Sequence, residues 1–179
     1  MECHNLYSTT PKQYMTLTGF FKNKKLFFLG VFIAIIAMFL DLFSKRLAFE
    51  TLESQVPLDH IEVFSFFNLV RVWNHGVSFG MFNNLEFGQI IFSAIVAIIT
   101  VVMLVWLYRN QKLYLTWALG LIIGGALGNL ADRIKNGAVA DFLDFHLASY
   151  HWPAFNLADS FVFIGVALLL IEDLILQKK

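Results

Sequence analysis

Apolar and polar stretches alternate along the chain to give four long hydrophobic segments, at about 26–43, 87–108, 113–130 and 155–176. Each is close to the ~20 residues that carry a helix across ~30 Å of hydrocarbon. Only Arg109-Asn110-Gln111-Lys112 separates the second from the third, so those two helices are expected to form an antiparallel hairpin. With four crossings, the two termini share one side. The polar connections at about 44–86 and 131–154 then share the other.

The first of these connections carries a different pattern. Leu69-Val70-Arg71-Val72-Trp73 alternates, and Ile61-Glu62-Val63-Phe64 is rich in strand formers, which predicts a small β-sheet lying on the membrane's outer face. In the second, Phe145, Leu147, Tyr150 and Trp152 are interleaved with His146 and His151. That mixture suits an interfacial loop or helix resting on headgroups or covering a site.

Composition agrees with the pattern. Hydrophobic residues make up 58% and charged residues 15% of 179, against roughly 45–50% and about 25% in soluble domains. The expectation is an all-α membrane protein, a four-transmembrane-helix bundle with a small periplasmic β-sheet and an interfacial periplasmic loop or helix. Formal charge is zero, so nothing points to nucleic acid. Cys3 stands alone, which excludes an internal disulfide or a cysteine metal cluster.

Basic residues set the orientation. Lys12, Lys22, Lys24, Lys25, Arg109, Lys112, Lys178 and Lys179 fall on the side of the termini, eight against the five of Lys45, Arg46, Arg71, Arg133 and Lys135. By the positive-inside rule both termini are cytoplasmic. Residues 1–25 are then a cytoplasmic extension, 26–176 the membrane domain and 177–179 a cytoplasmic tail. The first apolar segment is too long for a signal-peptide core and lacks an Ala-x-Ala cleavage site, so it reads as a retained anchor.

Against this apolar background a few polar residues stand out. Asp141 lies in Ala140-Asp141-Phe142, and Asp159 opens the fourth apolar run. A charge at the centre of a membrane helix costs roughly 2.5–3.5 kcal/mol on insertion scales, so such groups tend to have a partner or a task. Two acids brought together can share a proton and activate water. Pro153 suits the start of the fourth helix, placing Asn156 and Asp159 on one face. In the third helix Gly120, Gly124 and Gly128 form a smooth ridge for close packing. Gly125, Asn129 and Arg133 make the adjacent row. Asp41 and Lys45, four apart, read first as a salt bridge easing insertion. Asp132 and Asp144 read as solvated or ion-paired charges.

Two patterns are coincidental. Gly76-Val77-Ser78-Phe79-Gly80 matches the serine-hydrolase elbow, but that motif works only in a large α/β sheet for which this chain has no room. His146 and His151 lack metal-ligand spacing. A proton carrier would place its acids near the bilayer midplane on broken helices in paired halves; here they cluster at one end and no repeat is visible.

Taken together, the stretches Asp41-Leu-Phe-Ser-Lys45, Asn74-His-Gly76-Val-Ser-Phe79, Gly124-Gly125-Ala-Leu-Gly128-Asn129-Leu-Ala-Asp132-Arg133, Val139-Ala-Asp141-Phe142 and Phe155-Asn156-Leu-Ala-Asp159-Ser160 resemble the prokaryotic lipoprotein signal peptidases (signal peptidase II), in order and over about 26–176. The family commonly has Gly-Ala-Ala-Phe where this chain has Gly76-Val77-Ser78-Phe79, which argues again that Ser78 is no nucleophile. The resemblance implies that Asp141 and Asp159 are a catalytic dyad, with Asp41, Lys45, Asn74, Gly76, Asn129, Arg133 and Asn156 supporting or lining the site. It also implies a lipidated prolipoprotein as substrate, its signal peptide cut before the diacylglyceryl cysteine. The expected setting is the inner membrane, the active site near the periplasmic face, with membrane lipids as the other partner. No metal or cofactor is expected, and the expected state is a monomer.

Overall fold

The computed structural model describes residues 24–54, 60–76, 88–110 and 112–176. Within them lie four helices, α1 (Lys24–Glu53), α2 (Gly88–Arg109), α3 (Leu113–Asn136) and α4 (Leu157–Leu176), and four strands, β1 (His60–Phe64), β2 (Phe67–Asn74), β3 (Val139–Leu147) and β4 (Tyr150–His151). The extension 1–23, the Gly76–Gly80 match beyond Gly76 and the tail 177–179 lie outside the described residues.

Three helices are long and apolar enough to cross a membrane: Lys24–Glu53, Gln89–Arg109 and Leu113–Asn136, with mean hydropathies of 2.7, 2.9 and 1.5. Helix α4 is apolar over Leu157–Ile171. The chain is therefore a multi-pass membrane protein. The helix surfaces agree, because Phe28, Phe32 and Phe39 on α1, Ile90 and Ile98 on α2 and Phe163 on α4 all face outward. In water such a surface would aggregate. In lipid it is the contact surface.

Helix α3 has the lowest hydropathy because it is the most enclosed, packing against α1, α2 and α4. Its glycines make this possible. A Cβ on Gly124 would meet the Ala34 carbonyl oxygen and fall 2.7 Å from Ala37 Cβ, and one on Gly125 would meet the Ala158 carbonyl of α4. The predicted glycine ridge thus packs on α1 along Gly120, Gly124 and Gly128, and the adjacent row turns to α4. Gly124→Ala should force α1 and α3 apart and cost about 1–3 kcal/mol, the usual range for overpacking; thermal unfolding in detergent would read it, with Gly124→Val worse. The α2–α3 turn is held by Asn110, whose Nδ2 donates to the Lys112 carbonyl (2.8 Å) and Thr116 Oγ1 (2.9 Å) while its Oδ1 accepts the Lys112 N–H (2.7 Å).

Helix α1 continues past the apolar run that ends near Phe43, reaching Glu53 with an Arg46–Glu50 ion pair on its surface. Helix α3 ends at Gly137, which sits in the left-handed region (φ 69°) and donates its N–H to the Arg133 carbonyl. Only a residue without Cβ takes that turn cheaply, and it sends the chain straight into β3.

The sheet is antiparallel in the order β1-β2-β3-β4. Strands β1 and β2 fall where alternation predicted them. The stretch 143–152 is expected as an interfacial loop or helix; the structure has there instead β4 and, over Val139–Leu147, β3. Its residues Val139, Ala140, Asp141 and Phe142 are all buried, so no two-residue period announces the strand. Packing against the ends of α1 and α3 buries both faces and erases the alternation. A bulge between Leu69 and Val72 sets the register in which Val72 pairs with Asp141 and Asn74 with Val139.

Candidate active site

The two aspartates come from different elements and meet through amide side chains. Asp141, on β3, is 2% exposed. Its Oδ2 accepts a hydrogen bond from Asn74 Nδ2 (3.0 Å), and its Oδ1 one from Asn156 Nδ2 (2.6 Å). Asp159 lies exposed on the first turn of α4 and accepts from Asn129 Nδ2 at 2.8 Å.

Asn156, fully buried, joins the two. It caps α4: its Oδ1 accepts the Asp159 N–H (3.0 Å), as an N-cap side chain does three residues on. Its Nδ2 meanwhile reaches Asp141 and, at 3.1 Å, Asn129 Oδ1. One amide therefore fixes where the helix starts, where Asp159 sits and how Asp141 is held. The expected sharing of a face by Asn156 and Asp159 becomes a cap rather than a side-by-side pair.

Asn129 is held as firmly. Its Oδ1 also accepts from Lys45 Nζ at 2.8 Å, so its Nδ2 can only point to Asp159. Lys45, 4% exposed, pairs with Asp41 at 2.7 Å and Asp132 at 2.9 Å. Asp41 Oδ1 accepts the Ala158 N–H (2.8 Å), which brings α1 onto the first turn of α4. The Asp41–Lys45 salt bridge is present as predicted, and it is also the base on which Asn129 rests.

Asp132 is more than a surface charge. It is 7% exposed, pairs with Lys45, and accepts the N–H of Ala140, the residue before Asp141, at 3.3 Å. The expectation of a solvated or ion-paired charge is met by the second alternative, through the pair with Lys45. Arg133 Nη1 donates to the Asn129 carbonyl (3.3 Å) and its guanidinium lies over Phe92, 4.6 Å from the ring centre. Its Nε is buried without a hydrogen-bond partner among the described residues. Gly76 donates its N–H to Asn74 Oδ1 (3.1 Å), steadying the amide that holds Asp141.

Asp141 opens on a cleft of about 350 Å³ lined by Val72, Asn74, Gly76, Pro153 and Ala154. Burial pushes its carboxyl up from the ordinary 3.8 to about 6; the Asn74 and Asn156 amides oppose that rise, and the Asp159 charge adds to it. The Asn129–Asn156 link holds the two acids close enough to be electrostatic neighbours. A pair of this kind can exchange a proton with bound water. Of the nine residues singled out from the sequence, Asn74, Asn129 and Asn156 contact Asp141 or Asp159 directly, while Gly76 acts through Asn74, Arg133 and Lys45 through Asn129, and Asp41 through Lys45 and the Ala158 N–H.

Comparison with known proteins gives concordant matches. A family model described as "Signal peptidase (SPase) II" matches residues 33–175. A protein of Alteromonas mediterranea named lipoprotein signal peptidase is 44% identical over 146 residues, covering 79% of this chain and 78% of the relative. Proteins of the same name from Anaplasma phagocytophilum and Francisella tularensis subsp. novicida are 38% and 40% identical, each covering 82% of this chain and 92% of the relative. Two solved structures, each titled as a bacterial membrane enzyme determined by the in meso method, are similar with TM-scores of 0.66 and 0.67 at 30% and 29% identity. They cover 81% and 80% of this chain, and 87% and 90% of theirs.

Proposed function

The chain belongs to the signal peptidase II family, and we propose that it is a membrane aspartic endopeptidase removing signal peptides from diacylglyceryl-modified prolipoproteins. The observation that carries this reading is the Asp141–Asn156–Asn129–Asp159 hydrogen-bond chain, which ties two acids 18 residues apart on different elements into one unit. In the proposed reaction the ionised member of the pair takes a proton from water as that water attacks the carbonyl before the lipidated cysteine. The protonated member hydrogen-bonds the carbonyl oxygen and then protonates the departing amine. Asp141 keeps its proton to about pH 6, which suits it to the proton-bearing role. No covalent intermediate forms. Arg133 Nε, a buried donor without a hydrogen-bond partner among the described residues, is available to substrate backbone.

The proposed setting follows the sequence reading: α4 spans as the fourth crossing, both termini are cytoplasmic, and the sheet stands on the periplasmic side of the inner membrane around a monomeric bundle. A lipid tail and a transmembrane signal helix would together hold the scissile bond at the depth of the dyad. Incubating purified protein in lipid with a lipidated precursor peptide tests the activity directly. Release of the intact signal fragment is expected, and an uncut precursor would overturn the reading.

The titration of Asp141 offers a second test. Because its folded carboxyl is raised, the native state binds more protons than the unfolded chain between about pH 4 and 6, and the Asp141 contribution lowers stability as pH climbs through that window. Asp159→Asn removes the neighbouring negative charge that helps retain the proton. Carbon NMR of the Asp141 carboxyl should show a midpoint near 6 in the wild type and a lower one in Asp159→Asn. An unchanged midpoint would mean the acids do not sense each other.

A further inference from the structure

A second cleft, of about 970 Å³, lies along the sheet beside the dyad. It shares Val72, Pro153 and Ala154 with the cleft that holds Asp141. All four strands supply its walls, with His60 and Glu62 from β1, Asn68 from β2, Asp144 and His146 from β3, and His151 from β4. On a chain this apolar, that gathering of titratable and amide side chains stands out, even with Val70, Val72 and Trp152 in the same lining.

Part of the lining is built rather than loose. Asp144 is buried and its carboxylate accepts from Asn68 Nδ2 (3.0 Å) and from His151 Nδ1, 2.9 Å from both oxygens. Burial alone would raise the Asp144 carboxyl; the His151 and Asn68 hydrogen bonds outweigh it and hold it below the ordinary range. His146 stacks on His151 with ring centres 4.8 Å apart, and neither of its ring nitrogens has a hydrogen-bond partner among the described residues. Buried polar atoms are normally satisfied, so an imidazole unmet among the described residues, in the wall of a cleft, is open to a bound polar group.

We infer that this cleft is a binding subsite for the hydrophilic, extended polypeptide that follows the lipidated cysteine. The inference rests on the peptidase reading. Of the three parts of such a substrate, the signal helix and the acyl chains belong in hydrocarbon, and only the mature segment needs a polar path away from the dyad. The cleft is that path, since polar side chains from all four strands line it and it shares Val72, Pro153 and Ala154 with the cleft at Asp141. Four strands at ~4.8 Å spacing span about 14 Å, which about four extended residues at ~3.3 Å each would cross. Backbone groups of such a segment would meet the His60, Glu62 and His146 side chains.

Two lipidated peptides with the same signal segment test it, one ending at the residue after the cysteine and one continuing six residues with polar sequence. Wild-type protein should cleave the longer with at least ~10-fold higher kcat/KM, through a lower KM. The double variant His60→Ala/Glu62→Ala removes exposed side chains from an edge strand that takes no part in the dyad. It should abolish the advantage of length while leaving the short peptide's rate unchanged. Equal kcat/KM for both peptides in wild type, or a length advantage that survives the double variant, would overturn the subsite alone. If neither peptide is cut, the peptidase reading falls first and the subsite with it.

Discussion

Asp159→Asn is expected to reduce cleavage of a lipidated precursor by at least ~10²–10⁴-fold, the range over which positioned acid–base groups accelerate proton transfer, with almost no change in thermal stability. The contacts explain why this is the cleaner of the two dyad substitutions. Asp159 accepts one side-chain hydrogen bond, from Asn129 Nδ2, and an asparagine oxygen can accept it equally well. Asp141→Asn should be as inactive but also less stable. Both Asp141 oxygens face amide donors, Asn74 Nδ2 and Asn156 Nδ2, and an asparagine would turn its own NH₂ toward one of them. Neither donor can rotate freely to compensate. Asn74 Oδ1 is engaged with the Gly76 N–H, and Asn156 Oδ1 caps α4. An unmade buried hydrogen bond costs about 1–3 kcal/mol. Cleavage assays paired with thermal unfolding in detergent should therefore separate the two: equal loss of activity, unequal loss of stability. Near-normal cleavage by either variant would remove that residue from the chemistry.

How far the sequence anticipates this site depends on which force places each residue. Hydropathy marks the four apolar segments because lipid contact imposes long, uniform runs. The Gly120-Gly124-Gly128 spacing marks a tight contact because only small residues let backbones approach, and Ala34, Ala37 and Asp41 fill that space. Asp41 and Lys45 are legible as a pair because i, i+4 is a local relation. Strand β3 is different. Its first four residues are all buried, so no alternation reveals the element that carries Asp141. Asp132 is legible only as a solvated or ion-paired charge, and the structure pairs it: its partners Lys45 and Ala140 are distant in the chain, and nothing local distinguishes a paired carboxylate from a solvated one. Asn156 is expected from the sequence as a residue supporting the site. Its spacing from Asp159 suggested a shared face, whereas its work is to cap a helix with its oxygen and hold the other aspartate with its nitrogen.

Lys45→Met should be the most destabilising single change in the support beneath the dyad, at about 3–5 kcal/mol, because it leaves two buried carboxylates without their cation. Asp41 is fully buried and Asp132 is 7% exposed. With Lys45 present the three groups carry one excess negative charge, which the positive end of α4 offsets through the Ala158 N–H on Asp41. Without Lys45 the Ala158 N–H is left with Asp41 and the Ala140 N–H with Asp132, and no cation balances the pair. At about 2–4 °C per kcal/mol for a protein of this size, the unfolding midpoint should fall by about 6–20 °C. The triple variant Lys45→Met/Asp41→Asn/Asp132→Asn should recover most of the loss, since asparagine oxygens can still accept from Ala158 and Ala140. Activity should not return with stability. Asn129 Oδ1 would have lost its lysine donor and kept only Asn156, so the amide that orients Asp159 would be less firmly set. A triple variant that regained both stability and full cleavage would show that Lys45 balances charge and does not position the dyad. A single variant within ~1 kcal/mol of wild type would show that the three groups are not the buried network their distances describe.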